Sequence, residues 1–156
     1  MDTDRPKILF PPPVGFLIAL GIATGLNVVL PLIDKDGVQR LPWALLGGGM
    51  AVFGLSLGLV AAYVFKRAGT HVDPYKPALI IVRDGPYGFT RNPMYVGLIL
   101  LLLAAAPGFL NLWVFPLAVC LWAALNWGVV AREETYLSTK FGAEYDAFLG
   151  ETRRWL

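Results

Sequence analysis

Charged residues are absent from three long stretches of the chain. No Asp, Glu, Lys or Arg occurs in residues 11–33, 41–65 or 92–131. A helix needs about 20 consecutive apolar residues to cross a hydrocarbon core of about 30 Å. The first two stretches therefore predict one membrane span each, at residues 14–33 and 42–65.

The third stretch is about twice as long as one span requires. It contains Pro107-Gly108, a dipeptide that is typical of turns and ends helices. We therefore predict a helical hairpin with arms at residues 93–106 and 109–131. The predicted fold class is all-α: a polytopic integral membrane protein of about four transmembrane helices, with a single membrane domain over residues 1–156.

The composition supports this fold class. Hydrophobic residues make up 56% of the 156 positions and charged residues 15%, whereas typical soluble domains have about 45–50% and about 25%. A soluble domain of this size buries too small a fraction of its surface to hide the excess apolar side chains. The net charge of +2 is too small to indicate nucleic-acid binding, so we expect no nucleic-acid partner.

Basic residues predict the orientation in the membrane. Of the 13 Lys and Arg residues, only Lys35 and Arg40 lie in the loop between the first two spans, and none lies in the turn of the hairpin. Loops rich in Lys and Arg remain in the cytoplasm. We therefore expect both termini, the loop at residues 66–92 and the tail at residues 132–156 to be cytoplasmic. No small-residue cleavage site follows the first span, which is expected to remain in the mature protein.

Small and polar residues within the spans predict how the helices pack. Gly21/Gly25 and Gly54/Gly58 each form a G-x-x-x-G pair, a spacing that lets helix backbones approach closely in lipid. Three asparagines also occur in the apolar stretches, and we expect them to form hydrogen bonds between helices: Asn27, Asn111 and Asn126.

The loop and the tail are the candidate sites of chemistry, because no span contains Asp, Glu, Lys or Arg and transporters usually need such a group within the membrane. In the loop, Asn92-Pro93 predicts an N-cap followed by the first helical residue. The N–H groups at this helix start would suit an anionic group. Arg91 and Tyr95 share a face if the helical turn extends back to Arg91. An anchored helix start with an interfacial Arg and Tyr fits the same pattern.

The tail opens with Glu133-Glu134 and continues with apolar residues at close to helical spacing. We predict an amphipathic cytoplasmic helix that continues from the last span or lies on the membrane. One glutamate is expected to point back into the mouth of the bundle, although a solvated helix start fits equally well. The terminal Arg153-Arg154-Trp155 is expected to pair with the glutamates or with lipid phosphates.

Several familiar sites are absent from the sequence. His71 is the single histidine and has no partner at metal-ligand spacing, so we expect no metal site. There is no Walker lysine and no G-x-G-x-x-G after a strand. A nucleotide-containing cofactor would therefore bind without a P-loop or a Rossmann platform.

Five short segments occur in order around the predicted hairpin: GPY at 85–87, RNPMYxG at 91–97, EE at 133–134, FGxxY at 141–145 and RW at 154–155. Together they resemble the isoprenylcysteine carboxyl methyltransferase family and the related phospholipid methyltransferases, over residues 68–156. The eukaryotic enzymes usually have Arg-His-Pro where this chain has Arg91-Asn92-Pro93. The first two spans are generic and add no support to the resemblance.

The resemblance implies an integral membrane enzyme, in a bacterial inner membrane, that transfers a methyl group from S-adenosylmethionine. The acceptor would be a lipophilic small molecule or a prenylated compound that enters from the bilayer lipids. The residues implied to bind the cofactor are Tyr87, Asn92, Pro93, Met94, Tyr95, Glu133, Glu134 and Tyr145. Arg91 and Arg154 are the implied catalytic residues, which would orient an anionic acceptor.

More specific roles follow from the same resemblance. Backbone N–H groups at residues 92–94, or an arginine of the tail, would hold the carboxylate of the cofactor. Glu133 or Glu134 would bind its ribose or its amino group. The three tyrosine rings would favour its positively charged sulfur.

A carboxylate acceptor is favoured because it needs no general base, whereas an amine or a phenol must lose a proton. Two other functions remain as alternatives. One is a non-enzymatic four-helix membrane protein, such as a small transporter or an assembly subunit. The other is a relative of the nicotinamide-dependent membrane reductases, which are usually longer.

Overall fold

The computed structural model describes residues 4–156, and within them the chain forms helices and no strand. The helices are α1 (Pro12–Val29), α2 (Arg40–Arg67), α3 (Pro93–Phe109), α4 (Val114–Leu125), α5 (Ala131–Phe141) and α6 (Ala143–Glu151). A 3₁₀ turn occupies Gly85–Gly88, and a π-helical turn at Asn126–Val130 joins α4 to α5. The predicted all-α class is confirmed.

The lengths of the apolar helices fit an integral membrane protein. Helices α1, α2 and the continuous helix Val114–Phe141 are long and apolar enough to cross a membrane. Helix α3 is apolar but has only 17 residues, which is about 26 Å at 1.5 Å per residue. Large apolar side chains on the outer faces of α1 and α2 are exposed, as contact with lipid requires.

The turn of the hairpin differs from its predicted position. Helix α3 continues through Pro107 and ends at Phe109, and the turn follows, where Leu110 has a φ of 51°. Pro107 has no N–H to donate to the carbonyl four residues earlier, and α3 continues for only two residues after it. The Asn111 side chain completes the turn: its Oδ1 accepts from the Trp113 N–H at 3.1 Å, and its Nδ2 donates to the Ala23 carbonyl at 3.0 Å.

Helices α2 and α3 form the most extensive helix pair of the fold. Glycines on both helices allow their backbones to touch. A Cβ added at Gly47 would lie 2.6 Å from the Gly108 nitrogen, and one added at Gly97 would lie 2.7 Å from the Gly54 carbonyl oxygen. The predicted packing role of Gly54/Gly58 is therefore confirmed, and Gly58 lies against Gly97.

Helix α1 packs on α4 and α3 through alanines rather than through its glycines. Ala19 and Ala23 are buried in the main apolar core, together with Leu102, Val114 and Leu121. Gly21 and Gly25 face away from the other helices, and nothing lies within 4 Å of a Cβ added at either position. This G-x-x-x-G pair therefore forms no close helix contact within the described part of the chain.

The tail forms two helices rather than one. Helix α5 extends α4 without interruption, as predicted, but Gly142 has a φ of 54° and ends it. The chain then turns into α6, whose buried residues Tyr145 and Phe148 face the body of the protein. The last residues return to the start of α3, where Thr90 and Arg153 form an isolated parallel β-bridge.

Adjacent glycines of α2 offer a matched test of the α2–α3 contact. Gly47→Ala is expected to lower the stability by about 1–3 kcal/mol, because the new methyl group overlaps the α3 backbone. Gly48→Ala adds the same group to open space, and alanine is the better helix former by up to about 1 kcal/mol. Thermal unfolding of both variants in one detergent measures the difference. Equal melting temperatures would contradict the close contact.

Candidate functional site

A cleft opens at the end of the bundle where α2 ends, α3 begins and α4 passes into α5. Its empty volume is about 920 Å³ with the open mouth included. Nine of the ten residues that the sequence singled out line it: Arg91, Tyr87, Asn92, Pro93, Met94, Tyr95, Glu133, Glu134 and Tyr145. Arg154 is the exception, and it lies behind Glu134.

The start of α3 leaves fewer free backbone donors than its sequence suggests. Asn92 is the N-cap residue, but its side chain donates to the Arg154 carbonyl at 2.9 Å instead of capping the helix. Its own N–H donates to the Thr90 hydroxyl, and Pro93 has no N–H. The amides of Tyr95 and Val96 donate to the Asn92 carbonyl. Within residues 92–94, only the Met94 N–H remains available to a ligand.

Glu134 is held between two arginines. Its Oε1 accepts from Arg91 at 2.9 Å and from Arg154 Nε at 3.1 Å, and its Oε2 is paired with Arg154 Nη2. The Glu134 side chain is only 15% exposed and that of Arg91 11%. Ion pairs with little solvent around them are strongly coupled. Glu134 therefore joins α5 to the loop before α3 and to the C-terminal residues, as the predicted pairing with the tail requires.

Arg91 has a further structural role. It does not belong to the first turn of α3, which begins at Pro93, so the predicted shared face with Tyr95 does not form. Its Nη1 donates to the carbonyls of Leu149 and Thr152, at 3.1 and 2.6 Å. Its Nε is buried and has no partner among the described residues.

Glu133 differs from its neighbour in having one partner. The Tyr95 hydroxyl donates to Glu133 Oε1 at 2.8 Å, and Oε2 accepts no hydrogen bond from the described residues. Successive residues on a helix point about 100° apart, since 3.6 residues make one turn. The structure thus separates the two carboxylates: Glu134 braces the site, and Glu133 leaves an oxygen open to the cleft that it lines.

Two of the four tyrosines that line the cleft, Tyr87 and Tyr145, are buried. Tyr87 lies on the 3₁₀ turn, 3% exposed, with its ring centroid 4.8 Å from that of Phe65. Its hydroxyl is buried and has no partner among residues 4–156. Burial and the nearby charge of Glu133 raise the pKa of Tyr87, and burial raises that of Tyr145, so both are neutral phenols at ordinary pH.

The N-terminal segment forms a wall of the cleft that the sequence did not indicate. Pro6 lines the cleft, and Asp4 accepts hydrogen bonds from the Tyr136 hydroxyl and the Lys140 ammonium. The Tyr136 hydroxyl also accepts the Ala78 N–H at 3.1 Å. Tyr136 therefore ties the N-terminal segment and the loop before α3 to the same point of α5.

The π-helical turn fixes the other end of this segment. The Gly128 carbonyl accepts the Leu9 N–H at 3.0 Å. A Cβ added at Gly128 would lie 3.0 Å from the Phe10 ring, so the absence of a side chain makes room for this contact. The loop at residues 71–82 also lines the cleft. Its single Lys or Arg, Lys76, indicates orientation in the membrane but not a ligand site.

Comparison with protein families matches residues 43–144 to the phospholipid methyltransferase family, which is more than half of the chain. The chain belongs to this family. Membership indicates a methyltransferase embedded in the membrane. The match begins in α2. This span therefore resembles the family as well, although its sequence alone looked generic. The match ends just before Tyr145 and does not reach Arg154.

Individual relatives add little to the family membership. The chain is 40% identical over 63 residues to an uncharacterized protein of Haemophilus influenzae, a stretch that covers 40% of this chain and the whole of that protein. No solved structure matches the chain.

The different environments of the two glutamates predict different stabilities for their variants. Glu134→Gln is expected to destabilise the protein by about 2 kcal/mol or more, because two arginines lose a charged partner. Glu133→Gln removes the charge but keeps an oxygen that accepts from Tyr95, so its melting temperature should stay close to that of the wild type. Thermal unfolding in detergent provides the comparison. A larger loss for Glu133→Gln would invert the assigned roles.

Proposed function

We propose that this member of the phospholipid methyltransferase family transfers a methyl group from S-adenosylmethionine to a lipophilic acceptor at the cytoplasmic face of a bacterial inner membrane. The observation that carries the proposal is the convergence of nine of the ten candidate residues on one cleft at the polar end of an apolar bundle. The excess of basic residues at that end supports the cytoplasmic orientation of the cleft and of both termini.

The residues of the cleft fit the chemistry of this cofactor. When bound, S-adenosylmethionine supplies a methyl carbon already activated by a positively charged sulfur. We assign the open carboxylate oxygen of Glu133 to a cationic or hydroxyl group of the cofactor, since charge-assisted hydrogen bonds are the stronger kind. The Tyr87 hydroxyl, which lacks a partner among residues 4–156, and the Met94 N–H are the further polar contacts that we propose.

The remaining candidate residues divide by their contacts. Arg91 is the proposed residue for orienting an anionic acceptor, because it lines the cleft and its buried Nε has no described partner. We assign Arg154 a positioning role through Glu134, which it binds. Tyr95 holds Glu133 in place. Asn92, Pro93 and Tyr145 shape the wall around these groups and exclude water, which favours alignment of the two reactants.

The acceptor is proposed to enter from the bilayer. Leu79 and Ile80 are 50% and 45% exposed on the loop before α3, and Ile80 also lines the cleft. An exposed apolar edge of this kind suits contact with lipid tails. A carboxylate, as in an isoprenylcysteine-like acceptor, is favoured because it reacts without losing a proton. A phospholipid amine is the second candidate, since the family is named for phospholipids and His71, which lines the cleft, can accept a proton.

Binding of S-adenosylhomocysteine to the purified protein in detergent tests the cofactor. Calorimetry is expected to show one saturable site, and NADPH, the ligand of a reductase, should give no heat of binding. A folded sample that binds NADPH and not S-adenosylhomocysteine would support the reductase alternative. A sample that binds neither would favour a non-enzymatic membrane protein.

Membranes that contain the chain, incubated with radiolabelled methyl donor, test the acceptor. A lipid-soluble labelled product is expected. Mild base releases labelled methanol from a methyl ester but leaves an N-methyl group in place, so the treatment separates a carboxylate from an amine acceptor. Matched membranes carrying Glu133→Gln provide the control for methylation by other enzymes.

Glu133 is expected to contribute directly to cofactor affinity. Glu133→Gln should weaken the binding of S-adenosylhomocysteine by about 10-fold or more, because a hydrogen bond to a charged group is worth about 1.5–3 kcal/mol. The melting temperature of the unliganded variant serves as the control for folding. Unchanged affinity would remove Glu133 from the cofactor site.

Tyr87→Phe separates a ligand contact from a structural one. The hydroxyl has no partner among the described residues, so its removal should leave the stability of the unliganded protein unchanged or slightly higher. The affinity for S-adenosylhomocysteine should fall by about 2- to 10-fold, the value of one neutral hydrogen bond. Titration calorimetry and thermal unfolding of the same sample give both quantities. A loss of stability without a loss of affinity would show that the hydroxyl serves the fold.

A further inference from the structure

A second cavity lies at the opposite end of the bundle from the cleft. It is enclosed by the end of α1, the start of α2 and the end of α3, and its empty volume is about 770 Å³ with open solvent included. Its polar and aromatic lining consists of Thr24, Asn27, Lys35, Arg40, Trp43, Phe109 and Asn111. Helix α2 runs from Arg40 in this cavity to Phe65 in the cleft, which separates the two sites by about 38 Å.

Asn27, which lines this cavity, carries a buried side-chain oxygen without a partner among residues 4–156. The residue is only 9% exposed, and the oxygen is its Oδ1. Asn111 forms the predicted hydrogen bond to another helix, α1, whereas Asn126 accepts from Trp155 of the C-terminal residues beyond α6 at 3.0 Å. Asn27 departs from that prediction. A buried acceptor without a donor costs about 1–3 kcal/mol, so this position favours a ligand that carries a donor.

Two cations lie at the same cavity. Lys35 and Arg40 form no ion pair and no hydrogen bond with any residue of the described part of the chain. No acidic side chain lines the cavity. Asp34 lines a neighbouring pocket that shares Asn27 and Lys35 with this cavity, and its Oδ1 accepts the Asp36 N–H. The cavity thus combines two positive charges, which suit a phosphate, with a separate acceptor, which suits a donor.

The surface next to the cavity is apolar and continuous with the membrane region. Helices α1 and α2 both pack on α3 but barely touch each other, so α3 forms the floor of a groove between them. The exposed large apolar residues of α1 and α2 include Leu17, Ile18 and Leu45. Trp43 lies at the cavity, where aromatic residues typically mark the level of lipid headgroups.

We infer that this cavity binds a membrane phospholipid whose headgroup carries a hydrogen-bond donor beside its phosphate, as ethanolamine and glycerol headgroups do. Lys35 and Arg40 bind the phosphate, Asn27 Oδ1 accepts from the ammonium or hydroxyl group, and the acyl chains follow the groove between α1 and α2. A choline headgroup carries the phosphate but no donor. The site is remote from the cleft, and the inference does not rest on the proposed methyl transfer.

Native mass spectrometry of the detergent-solubilised protein with added lipids tests the inference. Phosphatidylethanolamine and phosphatidylglycerol are expected to give one persistent adduct, and phosphatidylcholine should bind about fivefold more weakly because it lacks the donor. Lys35→Ala combined with Arg40→Ala should lower the binding of all three lipids by about 10-fold or more. Arg67→Ala, which removes an exposed arginine at the other end of α2, is the matched control and should leave the adduct unchanged.

The Asn27 variant separates recognition of the donor from general attraction to lipid. Asn27→Leu should reduce the preference for phosphatidylethanolamine over phosphatidylcholine to about one, and Asn27→Ala makes the same test if the leucine variant does not fold. Three results would overturn the inference. They are equal wild-type binding of the two lipids, an equal loss in Arg67→Ala, and displacement of the lipid by millimolar inorganic phosphate, which would indicate a free anion as the ligand.

Discussion

The carboxylate of Glu134 lies between two guanidinium groups, and the geometry of the cleft depends on this arrangement. Arg91 belongs to the loop before α3 and Arg154 to the end of the chain, so one side chain of α5 connects three segments that are far apart in sequence. Arg91 then holds the carbonyls at Leu149 and Thr152. The backbone bridge between Thr90 and Arg153 completes the same joint.

This joint also explains why the neighbouring Glu133 is available. Adjacent glutamates on a helix point in two directions, and both arginines pair with Glu134 rather than with Glu133. The helix that carries both is rigidly continuous with a membrane span, because α4 passes through the π-helical turn into α5. A carboxylate on such an element keeps a fixed position relative to Tyr95 on α3, which a carboxylate on a flexible loop would not.

The order and composition of the apolar segments were enough to predict four helices, and short segments of sequence were enough to identify nine of the residues that line the cleft. Finer features depended on contacts that spacing does not encode. Gly21/Gly25 and Gly54/Gly58 have the same spacing, but only the second pair meets a glycine on a facing helix. Helix α3 continues past Pro107 to Phe109, and the turn that follows is closed by the side chain of Asn111, four residues after the proline. Which of the two glutamates pairs with arginine depends on the position of Arg154, twenty residues after Glu134 in the chain.

The N-terminal wall of the cleft has a consequence for biosynthesis. Asp4 and Lys140, which form an ion pair, are 136 positions apart in the chain. Contacts between residues so far apart in sequence form late in folding, because closing the chain between them costs conformational entropy that no local contact offsets. The ribosome makes residues 4–10 before α5, so the segment stays without these partners while α1 to α4 are synthesised. The N-terminal wall of the cleft can therefore be completed only after α5 has been made.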